Sequence, residues 1–193
     1  MPFAHTEMVN LDYAASTPLR LSAIDAQREY DNGPLAGVNP NSLHSLGRAA
    51  AQKLEGCRRS LAQTLGRSVR PSEVIFTGGG TEANAMALLG IAEGARQSNK
   101  HRARVLISAI EHDSMLDNIP LLHAAGFTTD LILPNSHGAI EAKTLASMMD
   151  DSVALVSVML ANNETGAVQP IVDLAACAHE HGAYFHTDAI QGF

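Results

Sequence analysis

The sequence predicts an α/β fold, a mostly parallel sheet with helices on both faces. Two observations carry that expectation. Short apolar runs recur without polar alternation, and single stretches of helical periodicity separate them. A strand that is apolar on both faces needs cover above and below, and an intervening helix provides it while returning the chain to a parallel neighbour. The 193 residues are 46% hydrophobic and 17% charged, with a mean hydropathy of zero, which suits a globular chain with a sizeable core. Aromatic residues make up only 4% and Trp is absent, so the core must be aliphatic and alanine-rich.

Residues 1–45 are expected to form an N-terminal arm or peripheral segment, because Asn32-Gly33-Pro34 and Asn39-Pro40-Asn41-Ser42 are rich in turn formers. From residue 46 the alternation begins. Leu46, Ala50, Leu54, Cys57, Leu61 and Leu65 recur at three- and four-residue spacing and predict a helix over 46–65 with one apolar stripe. Val74-Ile75-Phe76-Thr77 reads as a short buried strand, followed by the glycine turn Thr77-Gly78-Gly79-Gly80-Thr81 and a helix over 81–95 rich in Ala, Leu and Met. Strands follow over 105–108, 129–133, 153–160 and 184–187. Between them lie helices over 114–125, 141–149 and 171–181, with a turn at Asn135-Ser136-His137-Gly138.

Charge and composition exclude several classes. A net charge of −7 argues against a nucleic-acid groove, which needs a concentrated basic surface. The one basic cluster, Lys100-His101-Arg102-Ala103-Arg104, falls between a predicted helix and strand and is expected to be a solvated connection. No apolar run reaches the length of a membrane-spanning helix, and the first residues lack the pattern of an export signal. Two distant cysteines make no disulfide framework, so a cytoplasmic location is expected. Cys57 and Cys177 read as small core residues. His179, His181, His186 and Asp188 lie close in sequence, but residues two apart on a helix point to different sides, and no metal site is expected.

Four segments can carry chemistry, each with an ordinary alternative. The glycine turn joins a strand to a helix, where free backbone N–H groups favour an anion; equally, it is a tight turn with Thr81 capping its helix. Asp188 ends a predicted strand at the carboxyl edge of the sheet, where α/β proteins bind ligands. A carboxylate there can hold a pyridine nitrogen protonated, or simply cap a turn. Asn162-Asn163-Glu164-Thr165-Gly166 is a second edge loop whose amides suit a phenolic oxygen, although Asn and Gly are also turn residues. His112 follows a strand, and its flat ring can stack and move protons.

Six motifs then occur in a recognisable order: Leu11-Asp12-Tyr13-Ala14-Ala15-Ser16-Thr17-Pro18, Asn39-Pro40-Asn41-Ser42-Leu43-His44, Thr77 to Asn84, Glu111-His112, Asn162 to Gly166, and His186-Thr187-Asp188-Ala189-Ile190-Gln191. Together they resemble the cysteine desulfurases, pyridoxal 5′-phosphate enzymes of the class V aminotransferase-like, fold-type I group. The resemblance implies that Gly80 and Thr81 hold the cofactor phosphate and that His112 is catalytic, stacking on the ring and moving protons. It implies that Asn163 and Gln191 bind the phenolic oxygen and Asp188 the pyridinium nitrogen. The loop from Asn39 to His44 resembles a dimer-facing segment.

In that group a Ser-x-His-Lys lysine, a nucleophilic cysteine and a substrate-binding arginine come later than the last motif seen here. By resemblance, residues 46–193 are therefore an incomplete cofactor-binding domain, the chain corresponds to an N-terminal half, and alone it is expected to be inactive. The lysines present, Lys53, Lys100 and Lys143, fall in two predicted helices and the basic connection. The implied partners are L-cysteine as substrate of the intact enzyme, a sulfur-acceptor protein in iron–sulfur cluster assembly, and either a second copy in a homodimer or a complementary C-terminal chain. Alternatives are another class V enzyme such as selenocysteine lyase, or a non-catalytic half of a split enzyme.

Overall fold

The computed structural model describes residues 9–192, which fall into two compact units that part between Phe76 and Thr77. The boundary anticipated after residue 45 lies inside the first unit.

In the first unit, α1 (Leu21–Asp31) occupies a stretch expected to be irregular. Its eleven residues contain neither Gly nor Pro, and Asn32-Gly33-Pro34 stops it at once. The next helix, α2 (Ser45–Leu65), follows the predicted period. His44 caps it, its Nδ1 accepting from the Gly47 N–H at 3.2 Å. A Cβ at position 47 would stand 2.1 Å from the Ser42 carbonyl oxygen, so only glycine fits there. The buried positions of α2 are the small ones, Gly47, Ala50 and Ala62. The predicted stripe is largely open instead: Leu46, Cys57, Leu61 and Leu65 are exposed, so Cys57 is not the core residue expected. The preceding helix α1 buries nothing of its own.

Val74 to Phe76 is not a strand. Only Val74 is buried, while Ile75 and Phe76 are exposed. Apolar sequence alone does not make a strand; a ladder partner is required, and the four-stranded sheet does not include this segment. Side-chain contacts hold it to α2: Arg58 donates to the Val74 carbonyl and lies 4.9 Å from the centre of the Phe76 ring.

The second unit runs α3 (Gly80–Ser98), β1 (Arg104–Ser108), α4 (Asp113–Leu116), α5 (Ile119–Ala124), β2 (Thr128–Ile132), α6 (Ala142–Met148), β3 (Val153–Ser157), α7 (Ile171–Glu180) and β4 (Tyr184–His186). The sheet order is β2-β1-β3-β4 and every pairing is parallel, the α/β architecture expected. The central strands β1 and β3 are buried on both faces, whereas the edge strands β2 and β4 are half open. On one face Val105, Ile107 and Leu155 pack with Leu88, Met115, Leu122 and Phe127. On the other, Leu106 and Val156 meet Ile132, Leu145, Leu174 and Ala178. A register shift between Arg104 and Val105 against β3 sets which residues share a face.

The helix anticipated over 114–125 is broken into α4 and α5. Pro120 lacks the N–H that an unbroken helix would use, and it disfavours helical backbone at residue 119. Starting a new helix at Ile119 puts Pro120 in a first turn, where its missing donor costs nothing. The strand anticipated over 153–160 is regular only to Ser157. Beyond it, the N–H groups of Val158 and Leu160 still donate to the carbonyls of His186 and Asp188, at 3.1 and 2.8 Å.

The basic cluster is not a free solvated connection. Arg102 donates to the carbonyls of Val153 and, at 2.8 Å, His181. Arg104 reaches Asp130 at 2.6 Å, Asp150 at 3.1 Å and the Met148 carbonyl at 2.8 Å. Both arginines close the amino-terminal edge of the sheet by satisfying backbone carbonyls that end helices or begin strands.

Two stability outcomes follow. Leu155→Ala, in the centre of the sheet, lowers stability by about 2–5 kcal/mol in urea denaturation. Arg102→Ala strands two carbonyls and costs about 1–3 kcal/mol, whereas exposed Lys100→Ala stays within about 0.5 kcal/mol.

Candidate functional site

Parallel pairing puts the carboxyl ends of β1, β3 and β4 at one edge of the sheet, so the loops that follow them are neighbours. The helix α3 brings its own N-terminus to that edge. Its last residue, Ser98, leads into β1 through residues 99–103 at the amino-terminal side, so its first turn lies at the opposite, carboxyl side.

Asn84 joins three of these elements. Its side chain is buried, and its Nδ2 donates to Asp188 Oδ2 at 2.7 Å and to Ser114 Oγ at 2.9 Å. Ser114 in turn meets His112: its N–H donates to His112 Nδ1 at 3.0 Å, with its Oγ 2.9 Å from the same nitrogen. A backbone N–H can only donate, so Nδ1 is an acceptor and the neutral ring carries its proton on Nε2. A continuous hydrogen-bonded path thus runs from Asp188 through Asn84 and Ser114 to His112. His112 also caps α4, which fixes the ring against its own helix.

Asp188 uses its other oxygen, Oδ1, to accept the Ile190 N–H at 2.9 Å. It caps a turn and faces the site at once, so the two readings of this residue are compatible. Close by, the buried Thr187 Oγ1 has no hydrogen-bond partner. His186 lies on β4 with its Nδ1 2.9 Å from Ser157 Oγ; burial holds its pKa below the usual histidine range, opposed by the charge of Asp188.

Glu111 ties the ends of β1 and β3 together. Its Oε1 accepts the Ser108 hydroxyl at 2.7 Å and the Met159 N–H at 2.6 Å, while Oε2 is buried without a partner. Burial pushes the pKa of this acid above the ordinary glutamate range, opposed by those two hydrogen bonds and assisted by the nearby charge of Asp188. Asn162 shapes the loop after β3. Its Oδ1 collects the N–H groups of Glu164 and Thr165, its Nδ2 donates to the Ile110 carbonyl at 2.9 Å, and Gly166 at φ 71° completes the turn. Asn163 and His112 consequently line one cleft of about 330 Å³ with Glu111, Asn162 and Thr165.

At the glycine turn the helix cap is Gly79, with no side-chain cap, so Thr81 does not cap its helix. The Thr77 hydroxyl donates to the Gly79 carbonyl at 3.0 Å. The Gly78 N–H donates to Glu82 Oε2 at 2.6 Å, so the turn already attracts a carboxylate. Within the helix the first amide to bond back is that of Ala83, onto the Gly79 carbonyl at 3.1 Å. The amides of Gly80, Thr81 and Glu82 therefore lack intrahelical acceptors. Thr81 and Asn84 are three residues apart, about 4.5 Å along the axis, so the glycine turn and Asp188 are close through α3.

Of the residues singled out from sequence, Gly80, Thr81, His112, Asn163 and Asp188 all stand at this edge. Gln191 follows Asp188 on an exposed turn. Asn84, Ser114 and Glu111 had no role assigned from sequence. The signal for Asn84 was there: a polar side chain in register with buried Leu88, Ala92 and Ala95 on α3. Ser114 had no comparable signal, since its role depends on the fold. Among the described residues no group of three His, Cys, Asp or Glu side chains could hold a metal ion. Of the lysines in this unit, neither Lys100 nor Lys143 lines the cleft; Lys143 pairs with Glu141 at 2.8 Å and is exposed.

An IscS-like cysteine desulfurase of Mycobacterium tuberculosis is 40% identical over 187 residues, covering 95% of this chain and 46% of that protein. The cysteine desulfurase IscS of Dictyoglomus turgidum is 36% identical over 183 residues, covering 95% of this chain and 45% of that protein. A solved structure described as SspA in complex with cysteine superposes with a TM-score of 0.83 at 32% identity, over 94% of this chain and 50% of its own. The chain thus spans about half the length of the curated relatives it matches. A family model described as aminotransferase class-V matches residues 9–193, so the chain belongs to the class-V aminotransferase family.

Proposed function

We propose that this chain is the N-terminal portion of a cysteine desulfurase and contributes most of a pyridoxal 5′-phosphate pocket. The observation that supports this best is the hydrogen-bonded path from Asp188 through Asn84 and Ser114 to His112, beside the glycine turn. The side chains fit such a group. Three free amides and an attracted carboxylate mark an anion slot, and one turn away a carboxylate is held in place by a buried amide. When bound, the cofactor supplies an electron-withdrawing ring for chemistry at the Cα of an amino acid.

The roles proposed are those that the resemblance implies, and the groups present are compatible with them. Gly80 and Thr81 take the phosphate with N–H groups and a hydroxyl, assisted by the helix dipole. Asp188 accepts the hydrogen of a protonated ring nitrogen, and Asn84 prevents it from turning away. His112, with its proton on Nε2, stacks on the ring and moves a proton at that atom. Asn163 and Gln191 donate to the phenolic oxygen. The intact enzyme converts L-cysteine to L-alanine and leaves a persulfide on its own cysteine, for transfer to an acceptor protein in iron–sulfur cluster assembly. Alone, this chain is proposed to be inactive, because neither lysine of the unit that holds the cleft, Lys100 or Lys143, lines it. A homodimer or a complementary chain, at work in the cytoplasm, completes the proposal. Among the described residues no helix is long and apolar enough to cross a membrane.

Titrating the purified chain with pyridoxal 5′-phosphate, followed by absorbance and calorimetry, tests this reading. Reversible binding is expected, weakened about tenfold to a hundredfold by Thr81→Ala or Asp188→Asn, since each removes a hydrogen bond to a charged group. Borohydride treatment should trap cofactor only in proportion to its concentration on exposed amines such as Lys100 and Lys143, unchanged by Thr81→Ala or Asp188→Asn, and L-cysteine should yield no alanine. Reversible binding indifferent to both substitutions, or formation of alanine, would refute it.

A further inference from the structure

Glu111 has no role in the mechanism above, yet it is the most deeply buried carboxyl group at this edge, 7% exposed. One oxygen, Oε1, does structural work: through Ser108 it holds the end of β1, and through the Met159 N–H it holds the chain leaving β3. His112 and Asn163 ride on those two loops. The other oxygen, Oε2, is shut away from water with no hydrogen-bond partner. An ionised carboxylate there would leave half of its charge without donors in a dry site, which disfavours it against the neutral acid. Asp188 is differently placed. It is only half-buried, and both its oxygens accept hydrogen bonds, from Asn84 and from the Ile190 N–H.

We propose that Glu111 is a positioning residue that clips the ends of β1 and β3 together while keeping its own proton, so that it adds no second negative charge beside Asp188. Burial and the charge of Asp188 both favour the protonated form of Glu111. The other titratable groups nearby do not supply a counter-charge to Oε2. His112 turns its Nδ1 to Ser114 and His186 turns its Nδ1 to Ser157, while Asp113 and Glu164 are exposed acids. A second negative charge beside Asp188 would compete for the proton of any cationic ring nitrogen held there; that consequence rests on the pyridoxal phosphate reading, but the protonation state of Glu111 does not.

The test uses the 193-residue chain without cofactor. In carbon-detected NMR of protein labelled at Glu and Asp side-chain carboxyls, Glu111 should titrate above the ordinary glutamate range, and Asp188→Asn should move that titration downward. Thermal unfolding separates protonation from clipping. A glutamate whose folded pKa is raised stabilises the fold fully below its unfolded pKa, about 4.3, and this contribution is lost as pH rises toward the folded value. The midpoint of the native chain should therefore fall relative to Glu111→Gln over that interval. Glu111→Ala, lacking the clip, should melt lower at every pH. A Glu111 resonance ionised throughout pH 5–7, or a constant offset between the native chain and Glu111→Gln, overturns the proposal. Because no cofactor is present, failure here is separable from failure of the pyridoxal phosphate titration.

Discussion

Asn84 donates both hydrogens of one amide nitrogen in two directions, to the carboxylate that follows β4 and to a hydroxyl at the start of α4. Those groups are 104 and 30 residues away in the chain. Neither partner could be swapped for an apolar group without stranding one hydrogen of the Asn84 amide, and a buried polar group left unsatisfied costs about 1–3 kcal/mol. The consequence is rigidity where the site needs it. Asp188 cannot rotate freely, and the Ser114 hydroxyl, accepting from Asn84, is left to give its own hydrogen to His112. An Asp at this position would lose the bond to Asp188, draw the Ser114 hydrogen away from His112 and set two carboxylates face to face.

Around that amide the parallel sheet provides the convergence. Register pairs Ile107 with Ser157, and Ser157 with His186, so the ends of three strands are level and their loops share one rim. Local chemistry then shapes each loop in its own way. Asn162 folds its own turn, His112 caps its own helix, and Glu111 spans two strands. The site is built of short-range devices on a scaffold of long-range pairings.

Much of this was legible in the chain, and the reasons differ by element. The helices α2, α3 and α7 and the strands β1 and β3 are visible because burial on a face or on both faces leaves a periodic trace. The candidate residues Thr81, His112 and Asp188 were visible because each follows a turn or strand signal at a sheet edge. The strand anticipated at Val74 to Thr77 has the right residues but no ladder partner in this sheet. The stripe of α2 announces a buried face, yet Cys57 and Leu65 lie open. The helix α1 was hidden because it buries nothing, so no period marks it. Arg102 and Arg104 looked like solvated charges, since no local pattern reveals that a guanidinium will reach carbonyls 51 and 44 residues away. Glu111 was overlooked for a similar reason: its partner at Met159 lies 48 residues on.

The outermost strand β2 has a carboxylate, Asp130, at its midpoint, tethered sideways by Arg104. A foreign strand laid along that margin would have to strip water from the acid and gain no opposite charge in return, since the guanidinium is already engaged. Charged interruptions of this kind keep sheet margins from recruiting other molecules. Lateral growth into fibrils is therefore discouraged along β2.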